Sequence, residues 1–481
     1  MQHLKDIEFL AYGAKFVTPF DPFQPYSYQG AFHITDCESC KIAGFTLTTD
    51  RAPNVLGKIL SIDKEKLIAD IRLIGGSRLS GGEKIVGFDS LDEDFTPNGH
   101  VYFADDGGYR WEMLNQDTMR LFAWPTTGVQ LRNVSVGELL CMRHSLYAAT
   151  PLEFVSCRDI DVVDITVNAS PGLSCAVLPN SRNFRFTRFR ILPEHGSLIP
   201  YASNADGIHV TGLRGTLRLE NCSFQNLGDD ALNIHSQGAT VYRVSGSVIQ
   251  CYAKRFFSTP ESEDGRLEPE WAVPGDVIRI YDGKTFKMKG QFTVKAYDVN
   301  KIVSETEVTD IAAGDFLANT AYFAKTTVQN CNIENTRARG LLIETADTVI
   351  ENCKFYGTAA AAIIAAPDMT VWNEMAPIEN LTIKGCAFEN CGNSTVNEKC
   401  SGVLVTVNHN ACGVKHYSPG IHGEVVLRDN LFLRLKNTAV FVQSTKKLNL
   451  LANSLQTVNA QTKAAEYYDC DEIDAAENEI F

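Results

Sequence analysis

Short apolar alternations separated by turn-forming residues run through most of the chain. In Leu381-Thr382-Ile383 every second side chain is apolar, as in a strand with one buried face. A phrase recurs beside these alternations: Asn221-Cys222-Ser223-Phe224, Asn330-Cys331-Asn332-Ile333, Asn352-Cys353-Lys354-Phe355, Gly385-Cys386-Ala387-Phe388 and Asp429-Asn430-Leu431-Phe432. A turn-rich step and a second short apolar strand follow, as in Ala362-Ile363-Ile364. Cys331 and Cys353 stand 22 residues apart, within the range of one coil of a β-solenoid. Leucine-rich repeats share that period but need a regular Leu pattern that is absent here. The fold class predicted is all-β, a right-handed parallel β-helix carrying inserted small β-barrel-like subdomains.

Phe32-His33-Ile34-Thr35-Asp36-Cys37, Phe154-Val155-Ser156-Cys157 and Phe184-Arg185-Phe186 fit the same scheme less regularly, so the solenoid is expected to begin near the N-terminus. Cys222 and Cys331 lie 109 residues apart, too far for one coil. Glycine pairs at Gly75-Gly76, Gly81-Gly82 and Gly107-Gly108 punctuate an earlier irregular stretch. The expected organisation is the start of the β-helix over 1–52, an inserted β subdomain over 53–127, and β-helix with the candidate catalytic residues over 128–241. A second inserted β subdomain over 242–323, β-helix over 324–454 and a cap or loosely held tail over 455–481 complete it.

At 481 residues the chain exceeds the usual single compact domain, which a repeating architecture accommodates. Its formal net charge of −14 argues against sequence-independent nucleic-acid binding, which needs Lys and Arg to neutralise phosphates. Neither a signal peptide at Met1-Gln2-His3-Leu4-Lys5-Asp6 nor a membrane span is visible, so the expected location is cytoplasmic unless the chain is trimmed. Fourteen cysteines are too sparse for a disulfide scaffold, and Cys37-Glu38-Ser39-Cys40 has no partner pair for zinc. No metal and no cofactor is expected, and association into a homodimer is left open.

The chemistry gathers in two segments, Asn204-Ala205-Asp206-Gly207-Ile208-His209 and Gly228-Asp229-Asp230-Ala231-Leu232-Asn233-Ile234-His235, whose aspartates Asp206 and Asp229 stand 23 residues apart. Coils stack roughly 4.8 Å apart, which would bring Asp206, Asp229 and Asp230 to one face. Alternation would separate Asp229 from Asp230, so the backbone must bend there, and Gly228 makes a bend cheap. Clustered carboxylates raise at least one pKa, and glycoside hydrolysis uses one protonated acid and one ionised base. A calcium site or solvated turn aspartates is the alternative. Asp230 stands eight residues beyond Cys222 and Arg339 eight beyond Cys331, which puts Arg339 one rung from Asp230 if the insertion loops out. A guanidinium there would donate to sugar hydroxyls or hold a carboxylate ionised, or serve in a structural ion pair.

Asp-Gly followed one coil later by Gly-Asp-Asp resembles the layout of the β-helical polygalacturonases, and more of the chain resembles the family 110 glycoside hydrolases, the α-1,3-galactosidases. The second likeness adds Arg337-Ala338-Arg339-Gly340, Asp368-Met369-Thr370-Val371-Trp372-Asn373-Glu374 and Asp50-Arg51-Ala52-Pro53 leading into an insertion. It implies hydrolysis of terminal α-galactosides with inversion, Asp229 as general acid and Asp206 and Asp230 holding the attacking water. The substrate-binding set is then His209, Asn233, His235, Arg337, Arg339, Glu344, Trp372 and Glu374, with Trp372 and Glu374 sharing one face of an extended segment. Polygalacturonases carry Gly-His-Gly and Arg-Ile-Lys motifs that are absent here, so an oligosaccharide or glycan ending in a neutral sugar is the expected partner. Val371 and Asn373 stand where family 110 often has aromatic residues. A polygalacturonase-like or other β-helical glycosidase, a lyase, and a non-catalytic carbohydrate-binding β-helix are the competing readings.

Overall fold

The computed structural model describes residues 1–103, 108–122, 133–254, 258–393, 400–408, 417–456 and 463–481. The repeated phrase builds the corner of each coil. Asn221, Asn330 and Asn352 have φ of 56°, 54° and 53°, a left-handed backbone that Asn tolerates because its short polar side chain bonds locally. The cysteine that follows turns inward and is buried, and so is the Phe or Ile two residues later. At the last corners Asn430 replaces the cysteine; it donates to Asn453 at 2.9 Å, and Asn453 donates to Asn478 at 3.0 Å. An asparagine ladder thus continues a cysteine ladder, each satisfying a small buried space between rungs.

Stacked corners produce parallel sheets. Ten strands, among them Cys175–Val177, Ile208–Thr211, Leu232–His235, Leu341–Ile343 and Ile363–Ala365, form one sheet. A twenty-stranded sheet supplies the other walls, most rungs contributing a bent pair such as Arg214–Glu220 and Ser223–Leu227. The interior is one continuous core from Ile34 to Ala464. Phe355, Phe388 and Phe432 stack in it with centroids 4.9 and 4.6 Å apart. No helix among the described residues is long and apolar enough to cross a membrane.

Two excursions interrupt the stack. The first is a seven-stranded antiparallel sheet from Asn54–Asp63 to Leu139–Arg143, packed on Ile59, Ile71, Phe88, Met119, Leu140 and Met142. The boundary expected at 127 lies outside the described residues. Leu139–Arg143 belongs to the inserted sheet rather than the solenoid, because it pairs on both sides with Asn54–Asp63 and Gly87–Leu91. Although barrel-like closure was expected, this sheet stays open among the described residues. The second excursion is a closed six-stranded barrel from Ala239–Ser245 to Phe316–Asn319, around Trp271, Ile278, Val294 and Leu317. It loops out without breaking the stack, since Leu232–His235 pairs directly with Leu341–Ile343.

The cap or loosely held tail expected over 455–481 is, where it is described, a further coil of the solenoid. Ala465–Tyr468, Glu472–Asp474 and Glu479–Ile480 add a further coil, pairing with Thr438–Gln443, Thr445–Leu451 and Ser454–Leu455. Its acidic residues mask the alternation in the sequence, while backbone pairing needs no apolar pattern.

Candidate active site

Asp206, Asp230 and Arg339 hold the same place on three successive rungs, each two residues ahead of the paired Ile208, Leu232 and Leu341. Arg339 therefore meets Asp230: its backbone N–H donates to Oδ1 at 2.8 Å and its guanidinium to Oδ2 at 2.9 Å. Asp206 accepts the Asp230 backbone N–H on Oδ1 at 3.2 Å, and its Oδ2 lies 2.7 Å from His209 Nδ1. Asp229 pairs with the Arg337 guanidinium and accepts from the Tyr147 hydroxyl at 3.4 Å. One oxygen from each of the three aspartates lies within 4.8 Å of the others.

Gly228 serves this bend by being small. Its φ is not left-handed, but a Cβ there would stand 2.5 Å from the Asn204 carbonyl and 3.0 Å from Arg143 Nη1. The two aspartate-bearing turns touch at this point, and only a hydrogen fits between them.

The three carboxyls differ in environment. Burial pushes the Asp230 carboxyl well above the usual range, against the lowering pull of Arg339, with the Asp229 and Asp206 charges adding to the rise. Asp206 is raised too, by burial first, with the His209 hydrogen bond opposing. Asp229 is the only one of the trio not fully buried. Burial falls most heavily on Asp230.

Beyond Asp206 a polar chain continues across the rungs. His209 Nε2 lies 3.1 Å from His235 Nε2, which is 3.1 Å from Thr211 Oγ1 and 3.5 Å from Glu374 Oε1. Burial alone would lower the His209 pKa, but the Asp206 bond and the charges of Asp206, Glu374 and Asp230 raise it. Asn233 lies between His209 and Leu342 on neighbouring rungs, buried. Glu344 is fully buried against Glu374, and burial followed by the charge of Glu374 pushes it well above the usual carboxyl range. Trp372 departs from expectation. The segment is a turn, closed by the Asp368–Glu374 bridge and by Asp368 accepting from the Thr370 and Val371 N–H groups, with Asn373 at φ 63°. That left-handed residue breaks the alternation, so Trp372 stands 44% exposed while Glu374 is buried.

Sequence reasoning missed Arg143 and Asp89. Arg143, at the end of the inserted sheet, donates from Nη1 to the Asn204 carbonyl at 2.8 Å and the Gly228 carbonyl at 3.2 Å. Its other arm pairs with Asp89 at 3.1 Å, both side chains being 1% exposed. One guanidinium thus holds the backbone of both aspartate-bearing turns, and Asn204 adds donors to the Pro53 and Ser145 carbonyls. The available signal was an Arg closing the apolar run Leu139-Leu140-Cys141-Met142.

Comparison with known proteins shows what the chain as a whole is similar to. A family model described as right handed beta helix region matches residues 290–480. Alpha-1,3-galactosidase B of Bacteroides thetaiotaomicron is 24% identical over 374 residues, covering 75% of this chain and 59% of that protein. The Akkermansia muciniphila protein of the same name is 24% identical over 368 residues, 74% of this chain and 43% of its own length. The chain resembles the α-1,3-galactosidases. It spans 59% and 43% of the length of these two relatives. Among solved structures, an exopolygalacturonase from Thermotoga maritima aligns over 100% of this chain and 81% of its own, with 13% identity and a TM-score of 0.41.

Proposed function

We propose that this chain is a glycoside hydrolase that removes terminal α-1,3-linked galactose from oligosaccharides or glycans by an inverting acid–base mechanism. The observation that carries the reading is the aspartate trio gathered beside two guanidiniums, Arg337 and Arg339. Three carboxyls against two fixed positive charges balance when the trio keeps one proton, and such a proton belongs to the coupled group rather than to one residue. Asp229 delivers it to the glycosidic oxygen, because it alone has an open side. Asp206 and Asp230 then hold and deprotonate the water.

Separation by itself favours the other stereochemistry. Nearest oxygens within 4.8 Å are closer than the roughly 6.5–9.5 Å between carboxyl groups of two-carboxylate inverting enzymes and nearer the roughly 5–5.5 Å of retaining ones. Ligation supports inversion nonetheless. All four oxygens of Asp206 and Asp230 are already engaged by His209, a backbone N–H or Arg339. A carboxylate so held is a weak nucleophile, yet its remaining lone pairs still orient a water. The sugar is proposed to lie over Asn233, His209 and the groove side of Glu374, with Trp372 covering it. A panel of α-galactosyl disaccharides tests the substrate class: release of galactose from the α-1,3 isomer ahead of the α-1,4 and α-1,6 isomers is expected. Cleavage of polygalacturonate in preference to all of them would overturn it.

A further inference from the structure

Next to the aspartates lies a second group of ligating side chains, His235, Glu344 and Glu374, each offering an atom within 4.8 Å of the others. They come from three segments. His235 and Glu344 are side by side on adjacent rungs, following the paired Ile234 and Ile343. Glu374 is brought in by its bridge to Gln237, and Met375 N–H donates to the Ser236 carbonyl at 2.9 Å.

Glu344 is the anomaly in this group. Its exposure is 0%, and neither carboxylate oxygen accepts a hydrogen bond from any described residue. A buried carboxylate without donors is costly, and the like charges that act on it most are those of Glu374, which lies within hydrogen-bond reach, and Asp368. Arg339 is the guanidinium whose charge opposes them, and that group is already bonded to Asp230. Asp368 is held as a turn carboxylate by Thr370 and Val371. A proton shared between Glu344 and Glu374 would satisfy one oxygen and leave the rest bare, while no sugar hydroxyl reaches a side chain sealed from solvent.

We propose that His235, Glu344 and Glu374 bind a divalent cation of the Mn²⁺ or Zn²⁺ class. Two carboxylates and one neutral imidazole neutralise a 2+ ion, and the imidazole selects these metals over Ca²⁺, which takes oxygen ligands. A small inward movement brings the three atoms to coordination distances of about 2.0–2.2 Å. The cation would fasten the Asp368–Glu374 turn, and with it Trp372, to the rungs that carry Asp206 and Asp230. This goes beyond the hydrolytic reading and is measured without sugar, so either can fail while the other stands.

The test is calorimetric titration of the EDTA-treated full chain with MnCl₂, ZnCl₂ and CaCl₂ separately, with melting curves at about 100-fold excess of metal over Kd. One equivalent of Mn²⁺ or Zn²⁺ is expected to bind and raise Tm, Ca²⁺ binding far more weakly; Glu344→Gln and Glu374→Gln should each abolish the heat and the Tm shift. Should Glu344→Gln fail to fold, Glu374→Gln decides alone, because that residue lies at the edge of the group. Absence of binding by the wild type, a preference for Ca²⁺, or undiminished binding by the variants overturns the site. So does a wild-type Tm that rises with falling pH and ignores metal, which marks a shared proton only.

Discussion

Replacing Arg339 by Met isolates what the guanidinium does for Asp230. The backbone N–H of residue 339 still donates to Oδ1, so the variant removes one charge-assisted bond of 2.9 Å and the charge behind it. Such a bond contributes about 1.5–3 kcal/mol, and its loss raises the Asp230 carboxyl further. Burial already raises that carboxyl, so in the variant the base proposed to hold the water is protonated over a wider range. The acid limb of the kcat/KM profile should shift upward, with an about 10–100-fold loss below it and recovery toward wild type above it. Stability follows with a definite sign. A carboxyl whose folded pKa is raised contributes stability that is complete below its unfolded value of about 3.9 and lost as pH rises through the folded value. In Arg339→Met that loss is deeper and extends to higher pH, so Tm should fall more steeply toward neutrality than in the wild type. The assay is steady-state hydrolysis of an α-galactoside across about pH 4 to 9, with a melting curve at each pH. A uniform loss at every pH with an unmoved acid limb would refute the reasoning and leave Arg339 a sugar-binding residue only.

Asp229→Asn should bind substrate nearly normally and lose about 10²–10⁴-fold in turnover on a poor leaving group; near-normal turnover there removes it from the acid role. Arg143→Met leaves Asp89 a buried charge without its partner and unties both aspartate-bearing turns. It should destabilise by about 3–5 kcal/mol, read by denaturant unfolding, and lower kcat more than it raises KM; unchanged stability would show that the pair is dispensable. Trp372→Ala should raise KM with Tm nearly unchanged, because a ring 44% exposed contributes little to the core; an unfolded variant with normal turnover per folded molecule would make the residue structural.

The coil was legible because its corner is written in residue types. Asn in a left-handed bend followed by an inward cysteine is a local requirement repeated rung after rung, and counting from it put Arg339 beside Asp230 across a barrel that interrupts the sequence. The last coil was not legible, since its strands are defined by pairing with Thr438–Gln443 and Thr445–Leu451 rather than by an apolar stripe. The shared face of Trp372 and Glu374 was misread for the opposite reason: Asn373 takes the same left-handed bend as the corners do, outside the repeat that makes it recognisable. Arg143 could not be found by spacing, because an antiparallel sheet folds its last strand back to the turns from a point set by tertiary pairing. Glu344 was placed among the substrate residues with the resemblance, and its complete burial is visible only in three dimensions.

The central claim, that Asp206, Asp229 and Asp230 hydrolyse a terminal α-galactoside by direct attack of water, is tested most directly by proton NMR of the purified chain acting on α-1,3-linked galactobiose. Galactose released first as the β anomer, drifting to the equilibrium mixture afterwards, is the predicted result. Galactose appearing first as the α anomer would contradict the water-holding roles of Asp206 and Asp230, and no galactose at all would contradict the activity.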